Sequence, residues 1–178
     1  YKYVDPDGRC GTGSHIKGAN VSKCTTTLNI EDAKGNSKKP YGEYFPKVVW
    51  PTQSKVVNSK FSKGNREIKS LNLNRRHEGI DIRQPLNGTT QSTQDGVVSA
   101  VGKASSGENR IRVRNSDGSS SIYRHQEATV SVGDRVSAGQ TIGRGDGSGG
   151  ITGPHLHYEF IPNNETTPVD PLETQLKD

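Results

Sequence analysis

No window of this chain sustains the 3.6-residue apolar repeat of a helix. Its apolar residues come in ones and twos at alternate positions, cut apart by glycine and proline. The clearest case is Arg110-Ile111-Arg112-Val113-Arg114, a period-2 run with one wet face and one dry face. Asn115-Ser-Asp-Gly118 follows as a hairpin turn, and Ser120-Ser-Ile-Tyr-Arg-His125 reads as the returning strand. Further strands are expected at Ile80-Asp81-Ile82, at Val97-Val98 and Val101 after the turn Asp95-Gly96, and at Val130, Val132, Val136 and Ile142. A loop of Gly, Asp and Ser spans 143–153, and His155-Leu-His-Tyr-Glu-Phe-Ile161 closes the series. The expected architecture is all-β and mostly antiparallel.

Composition sharpens this reading. Leu, Ile, Val and Phe number 34 of 178 residues, just under the roughly one-fifth level at which disorder becomes a live reading. The net charge is only +5, however, and 21 glycines and 9 prolines mark turns. Residues 1–45 are the poorest in apolar side chains and read as a small irregular N-terminal lobe. Cys10 and Cys24 would staple it: paired, they close a loop of about 15 residues, for which chain entropy gives about 3 kcal/mol. Phe45-Pro-Lys-Val-Val-Trp-Pro51 marks the start of the compact domain, taken as 46–178.

No stretch approaches the roughly 18 consecutive apolar residues of a membrane span. The pI is near 9.2, but basic residues are scattered, with only Lys38-Lys39 and Arg75-Arg76 adjacent. The basic balance fits an anionic partner such as nucleic acid, an acidic cell wall or a membrane surface, but the scatter reads as an ordinary soluble surface rather than a nucleic-acid stripe. The absence of Met and the paired cysteines together suggest an exported mature protein, periplasmic, wall-associated or secreted.

Five histidines occur, at 15, 77, 125, 155 and 157. On a strand, His155 and His157 point to one face, so their imidazoles reach the same small volume. His77 and Asp81 are four apart with Gly79 between them, a spacing that can converge on one ion from a turn leading into a strand. Two imidazoles and a carboxylate are the ligand set of a catalytic zinc, with a fourth position left for water.

Three segments carry a family resemblance: Arg76-His77-Glu78-Gly79-Ile80-Asp81-Ile82, Tyr123-Arg124-His125 and Gly153-Pro154-His155-Leu156-His157-Tyr158-Glu159-Phe160. They resemble the three signatures of the M23 (LytM/lysostaphin-type) zinc endopeptidases. Asp95-Gly96-Val97-Val98, Gly133-Asp134-Arg135-Val136, Gly139-Gln140-Thr141-Ile142-Gly143 and Asp170-Pro171 fall in the supporting order, and the likeness covers roughly 48–171.

The resemblance implies a small antiparallel β-sheet domain with an open groove that hydrolyses peptide bonds of peptidoglycan. It implies one Zn²⁺ per chain, held by His77, Asp81 and His157. His125 and His155 would be catalytic, one as base and one as oxyanion donor, in an order the sequence leaves open. A monomer is expected. Three departures bear on groove shape and substrate: the polar run Thr89-Thr-Gln-Ser-Thr-Gln94, Gln126 in place of a common leucine, and a long polar segment between Lys60 and Arg75.

Two other readings compete. A non-catalytic wall-binding domain of the same fold would be expected to lack a ligand. A lipoyl- or biotinyl-type carrier module is suggested only by Gly133 to Ile142, and no Met-Lys attachment site exists. The N-terminal lobe could be a pro-segment, a substrate-binding extension or a brace, and His15 could reach the metal if the lobe covered the groove. Gly-Gly cross-bridges, D-Ala-diaminopimelate cross-links and glycine-rich proteins are all admissible substrates.

Overall fold

The computed structural model describes residues 2–4, 10–12, 47–68, 73–149 and 153–177. His15 and Cys24 lie outside these residues, as does most of 1–45, so the expected lobe and the Cys10-Cys24 pairing fall outside them too. Within them, Lys2–Val4 (β1) pairs antiparallel with Cys10–Thr12 (β2).

Twelve more strands follow and, among the described residues, no helix. They are Val57–Ser59 (β3), Ser62–Ile68 (β4), Leu73–His77 (β5), Ile80–Arg83 (β6), Thr89–Gln91 (β7) and Gly96–Lys103 (β8). Asn109–Asn115 (β9), Ser120–Arg124 (β10), Gln126–Ala128 (β11), Arg135–Val136 (β12), Thr141–Gly145 (β13) and His155–Ile161 (β14) complete the series. A seven-stranded sheet runs β12-β8-β9-β10-β14-β6-β3, and a three-stranded sheet runs β11-β13-β7. Every pairing is antiparallel. The expected all-β fold is what forms, with β13 taking 143–145 from the stretch read as loop.

Alternation builds the core. In β9, Ile111 and Val113 are buried while Arg112 and Arg114 are exposed. The same parity on β6, β14, β10 and β8 brings Ile80, Ile82, Leu156, Tyr158, Phe160, Tyr123 and Val98 to the inner face. The small sheet packs there through Ile142, and Gly143 is seated on Ile111, where a Cβ would come within 2.7 Å of its Cδ1.

Of the polar residues that departed from expectation, Thr90, Ser92, Thr93, Gln94 and Gln126 are buried in partnership. Gln84 Nε2 donates to Thr90 Oγ1 at 2.7 Å, Thr90 donates to Gln126 Oε1 at 2.5 Å, and Gln126 Nε2 donates to Gln84 Oε1 at 2.9 Å. This ring closes on itself beneath the corner between β10 and β11, where Gln126 also donates to the Arg124 carbonyl at 3.3 Å. Thr93 makes a second buried polar cluster with Ser121 and the Tyr123 and Tyr158 hydroxyls, all at 3.0–3.1 Å. The buried polar groups of these two clusters are thus satisfied by one another, which lets a chain short of large apolar residues still fill its interior.

Candidate metal centre

The outer face of the large sheet carries the histidines. β14 lies between β10 and β6, with His157 directly opposite Asp81 on one side and Arg124 on the other. Directly opposed residues share a face, so His155, His157 and Glu159 stand with Asp81 and Arg124, away from the core. His77 arrives differently, at the end of β5 in the β4–β5 hairpin, where it pairs with Ser62. The turn from His77 to Asp81 has no room for a side chain at Gly79. A Cβ there would lie 2.3 Å from the Tyr158 carbonyl oxygen and 2.8 Å from His157 Nε2. Glycine at that point is a condition of β6 and β14 meeting.

Three ligand atoms converge. His77 Nε2 lies 2.9 Å from Asp81 Oδ1 and 3.0 Å from His157 Nδ1, and His157 Nδ1 lies 2.9 Å from Asp81 Oδ1. The other ring nitrogens are committed. His77 Nδ1–H donates to the Lys60 carbonyl at 2.8 Å, and His157 Nε2–H donates to Glu159 Oε1 at 3.2 Å. In these neutral tautomers three lone-pair atoms face one another across about 3 Å, an arrangement that calls for a cation among them. The charge inventory agrees: Asp81, Glu159 and Glu108 carry three negative charges and Arg124 one positive. The arginine donates to Glu159 at 2.5 Å and to Glu108 at 2.6 Å. His77, Asp81 and His157 therefore form a cluster able to coordinate a divalent metal ion.

Burial pushes the Asp81 carboxyl up, but the His157 and His77 imidazoles facing it, donors to it once protonated, outweigh that and hold the group well below the usual range. Burial alone would lower His157; its Asp81 and Glu159 partners raise it instead. Glu159 is likewise pushed up by burial and drawn further down by His157 and Arg124.

The two remaining histidines stand beside the cluster and are held by loop carbonyls. His155 Nδ1–H donates to Gly153 O at 2.8 Å, leaving Nε2 at 3.5 Å from Asp81 Oδ1. His125 Nδ1–H donates to Ser148 O at 2.6 Å. The two rings lie 4.8 Å apart, and His125 lies 6.3 Å from the His157 ring. His125 is not the end of a strand, as the sequence suggested. Its φ is +62°, and it forms the corner at which the chain leaves the large sheet for the small one. Burial holds its imidazole below the usual 6.5, helped by the neighbouring His155 and His157 and opposed by the Ser148 hydrogen bond.

All five residues singled out from the sequence therefore meet in one place. Glu159, Arg124 and Glu108 were missed as partners. Glu159 was legible in principle, because its parity puts it on the His157 face of the same strand.

Residues 75–171 match the family model described as Peptidase family M23. The chain is 31% identical over 157 residues to peptidoglycan DD-endopeptidase ShyC of Vibrio cholerae, an alignment covering 86% of this chain and 36% of that protein. Among solved structures, it superposes on a zinc-containing peptidase from Vibrio cholerae with a TM-score of 0.62 and 28% identity, over 78% of this chain and 41% of that one. The catalytic domain of lysostaphin from Staphylococcus simulans gives a TM-score of 0.60 and 27% identity, over 69% of this chain and 92% of that one. The chain spans between about a quarter and about a third of the length of the curated relatives it matches first.

Proposed function

The chain belongs to peptidase family M23, and we propose that it is a zinc-dependent endopeptidase hydrolysing peptide cross-links or cross-bridges of bacterial peptidoglycan. The observation that carries this reading is the triangle of lone-pair atoms on His77, Asp81 and His157 with two further imidazoles beside it. The relative named as a peptidoglycan DD-endopeptidase supports the substrate class.

His77 Nε2, Asp81 Oδ1 and His157 Nδ1 would hold one zinc ion. Bound there, zinc supplies a water of lowered pKa and polarises a carbonyl. The chain's own residues supply the rest. Amide hydrolysis needs a proton taken from water, a proton delivered to the leaving nitrogen and a donor for the oxyanion. His125 and His155 both have Nδ1–H tied to a backbone carbonyl, so Nε2 is the nitrogen each offers. Burial keeps His125 neutral at pH 7, the state in which Nε2 accepts a proton. Glu159 fixes the His157 ring and its tautomer, and Arg124 fixes Glu159.

The catalytic unit in this reading is residues 46–178, exported and monomeric. Zinc analysis combined with mass spectrometry of fragments released from purified walls of both cross-link chemistries tests the reading. About one zinc per chain and release of cross-linked peptides are expected. Bound zinc with no fragment from any wall would leave a wall-binding domain instead. Equal activity of the full chain and a form starting at residue 46 would dismiss an inhibitory role for 1–45.

A further inference from the structure

We propose that Asp146 is a positioning residue for His125, acting through the Ser148 peptide without touching the imidazole. The proposal rests on the endopeptidase reading of the site and adds a residue that the family motifs do not mark.

His125 presents a structural problem. A φ of +62° places a non-glycine residue in the left-handed region, where only surrounding contacts can hold it. Its ring Nδ1–H donates to the Ser148 carbonyl. Yet Ser148 belongs to no strand, since β13 ends at Gly145. It is flanked by Gly147 (φ +65°) and Gly149 (φ +81°), residues whose backbone is the least restricted of any. A carbonyl in such a setting aims an imidazole only if something else fixes it.

Asp146 does so from both carboxylate oxygens. Oδ1 accepts the Ser148 backbone N–H at 2.8 Å, and Oδ2 accepts Asn109 Nδ2 at 2.5 Å. Asn109 closes the circuit twice. Its backbone N–H donates to Ser148 Oγ at 2.8 Å, and its carbonyl accepts the His125 N–H at 2.8 Å. The Asp146 N–H donates in turn to the His125 carbonyl at 3.1 Å. Backbone N–H, backbone carbonyl and ring Nδ1–H of His125 are thus all held by one cycle of three residues, with Asp146 as its pivot. Burial pushes the Asp146 carboxyl up, but hydrogen bonds from Ser148 and Asn109 draw it below the usual range, so it stays ionised as an acceptor of both. The cycle fixes which nitrogen of His125 is protonated and where the other one points.

The test uses two substitutions in the full chain. Asp146→Ala removes both acceptors and should lower kcat about 10–100-fold, the scale of a misaimed reacting group, with KM and zinc content unchanged. Asp146→Asn can still accept from Ser148 and, with the Asn109 amide reversed, donate to it, so its kcat should stay within about threefold of wild type. Proton NMR supplies a readout independent of turnover. The His125 Nδ1–H should give a slowly exchanging downfield signal, assigned by its loss in His125→Ala. That signal should survive in Asp146→Asn and vanish in Asp146→Ala. Unchanged kcat in Asp146→Ala, equal losses in both variants, or a signal persisting in Asp146→Ala would each overturn the proposal. A wild type that cleaves no wall refutes the endopeptidase reading, and the signal then decides the positioning role by itself.

Discussion

The three-atom cluster and the histidine pair sit side by side but are built in opposite ways. Asp81 and His157 stand on adjacent strands in ladder register, and their partners are side chains: each other, His77 and Glu159. His125 and His155 stand at a corner and at the start of a strand, and their rings are aimed by carbonyls of Ser148 and Gly153. Ladder geometry is rigid and local in its demands, because opposed residues share a face whatever the loops do. A carbonyl in a glycine-rich loop is only as fixed as the groups that hold it. The difference suggests that ion binding should survive damage to the loop, and that proton transfer should not.

The strongest way to break that division is to remove a ligand. His157→Ala or Asp81→Ala should abolish both bound zinc and cleavage; metal analysis after dialysis that still found one zinc per chain would dismantle the ligand set. His125→Ala and His155→Ala should lower kcat by about 10²–10⁴-fold, the usual worth of a positioned acid or base, while zinc stays bound. If either variant lost its metal, the two halves would not be separable.

Between these extremes lies Glu159. Glu159→Gln weakens the hold on the His157 tautomer and should reduce zinc affinity about 10–100-fold, read by competition with a chelator. An unchanged affinity would mean that the strand ladder alone orients His157.

Acidity should tell metal-free from metal-loaded protein. In the metal-free form, burial lowers the His157 value from 6.5 but Asp81 and Glu159 raise it more. A raised folded-state value gives stability that is complete below about pH 6.5 and is lost as pH climbs through it. With zinc bound, protons compete with metal for the same Nδ1, so stability should rise over the same range. The gap in melting temperature between metal-loaded and chelated protein should therefore widen from about pH 6 to about pH 9, a difference in which the opposite contribution of His125, whose value burial lowers, cancels. A gap that stayed constant would exclude Nδ1 as the shared atom.

The smallest effect concerns the ring beneath the His125 corner. Gln126→Leu leaves the Gln84 amide and Thr90 hydroxyl without their partner and should cost about 1–3 kcal/mol. The triple change Gln84→Leu, Thr90→Val, Gln126→Leu should recover part of that loss in denaturant titrations, since the three ring members go together and only the Gly88, Thr89 and Arg124 carbonyls lose a side-chain donor. A triple variant less stable than Gln126→Leu would show that the ring does more than satisfy itself.

Much of this was legible in the residues. Alternation located β6 and β9, because successive residues of a strand face opposite sides, and the Asn115–Gly118 turn marked β10, buried on both faces, as the returning strand. The H-x-H spacing put two imidazoles on one side of β14 for the same reason. The β4–β5 hairpin was not legible: Ser62-Lys-Gly-Asn-Arg-Glu-Ile68 has no apolar alternation and its side chains from Ser62 to Glu67 are exposed or half-buried, so no periodicity marks it. Gln126 looked like a lone polar intruder, since its partners Gln84 and Thr90 are 42 and 36 residues away.

The sequence by itself determined the strand faces, the glycine without which β6 cannot meet β14, and the residue types that could meet an ion. Those are local consequences of side-chain parity and of a missing Cβ. Only the tertiary structure decided that β14 lies between β10 and β6, which brings His77 and His157 together across 80 residues. It also decided that an aspartate and an asparagine 37 residues apart steady the corner of a third strand. Such pairings depend on which strand edges remain free when the last strand docks, and no local pattern encodes that choice.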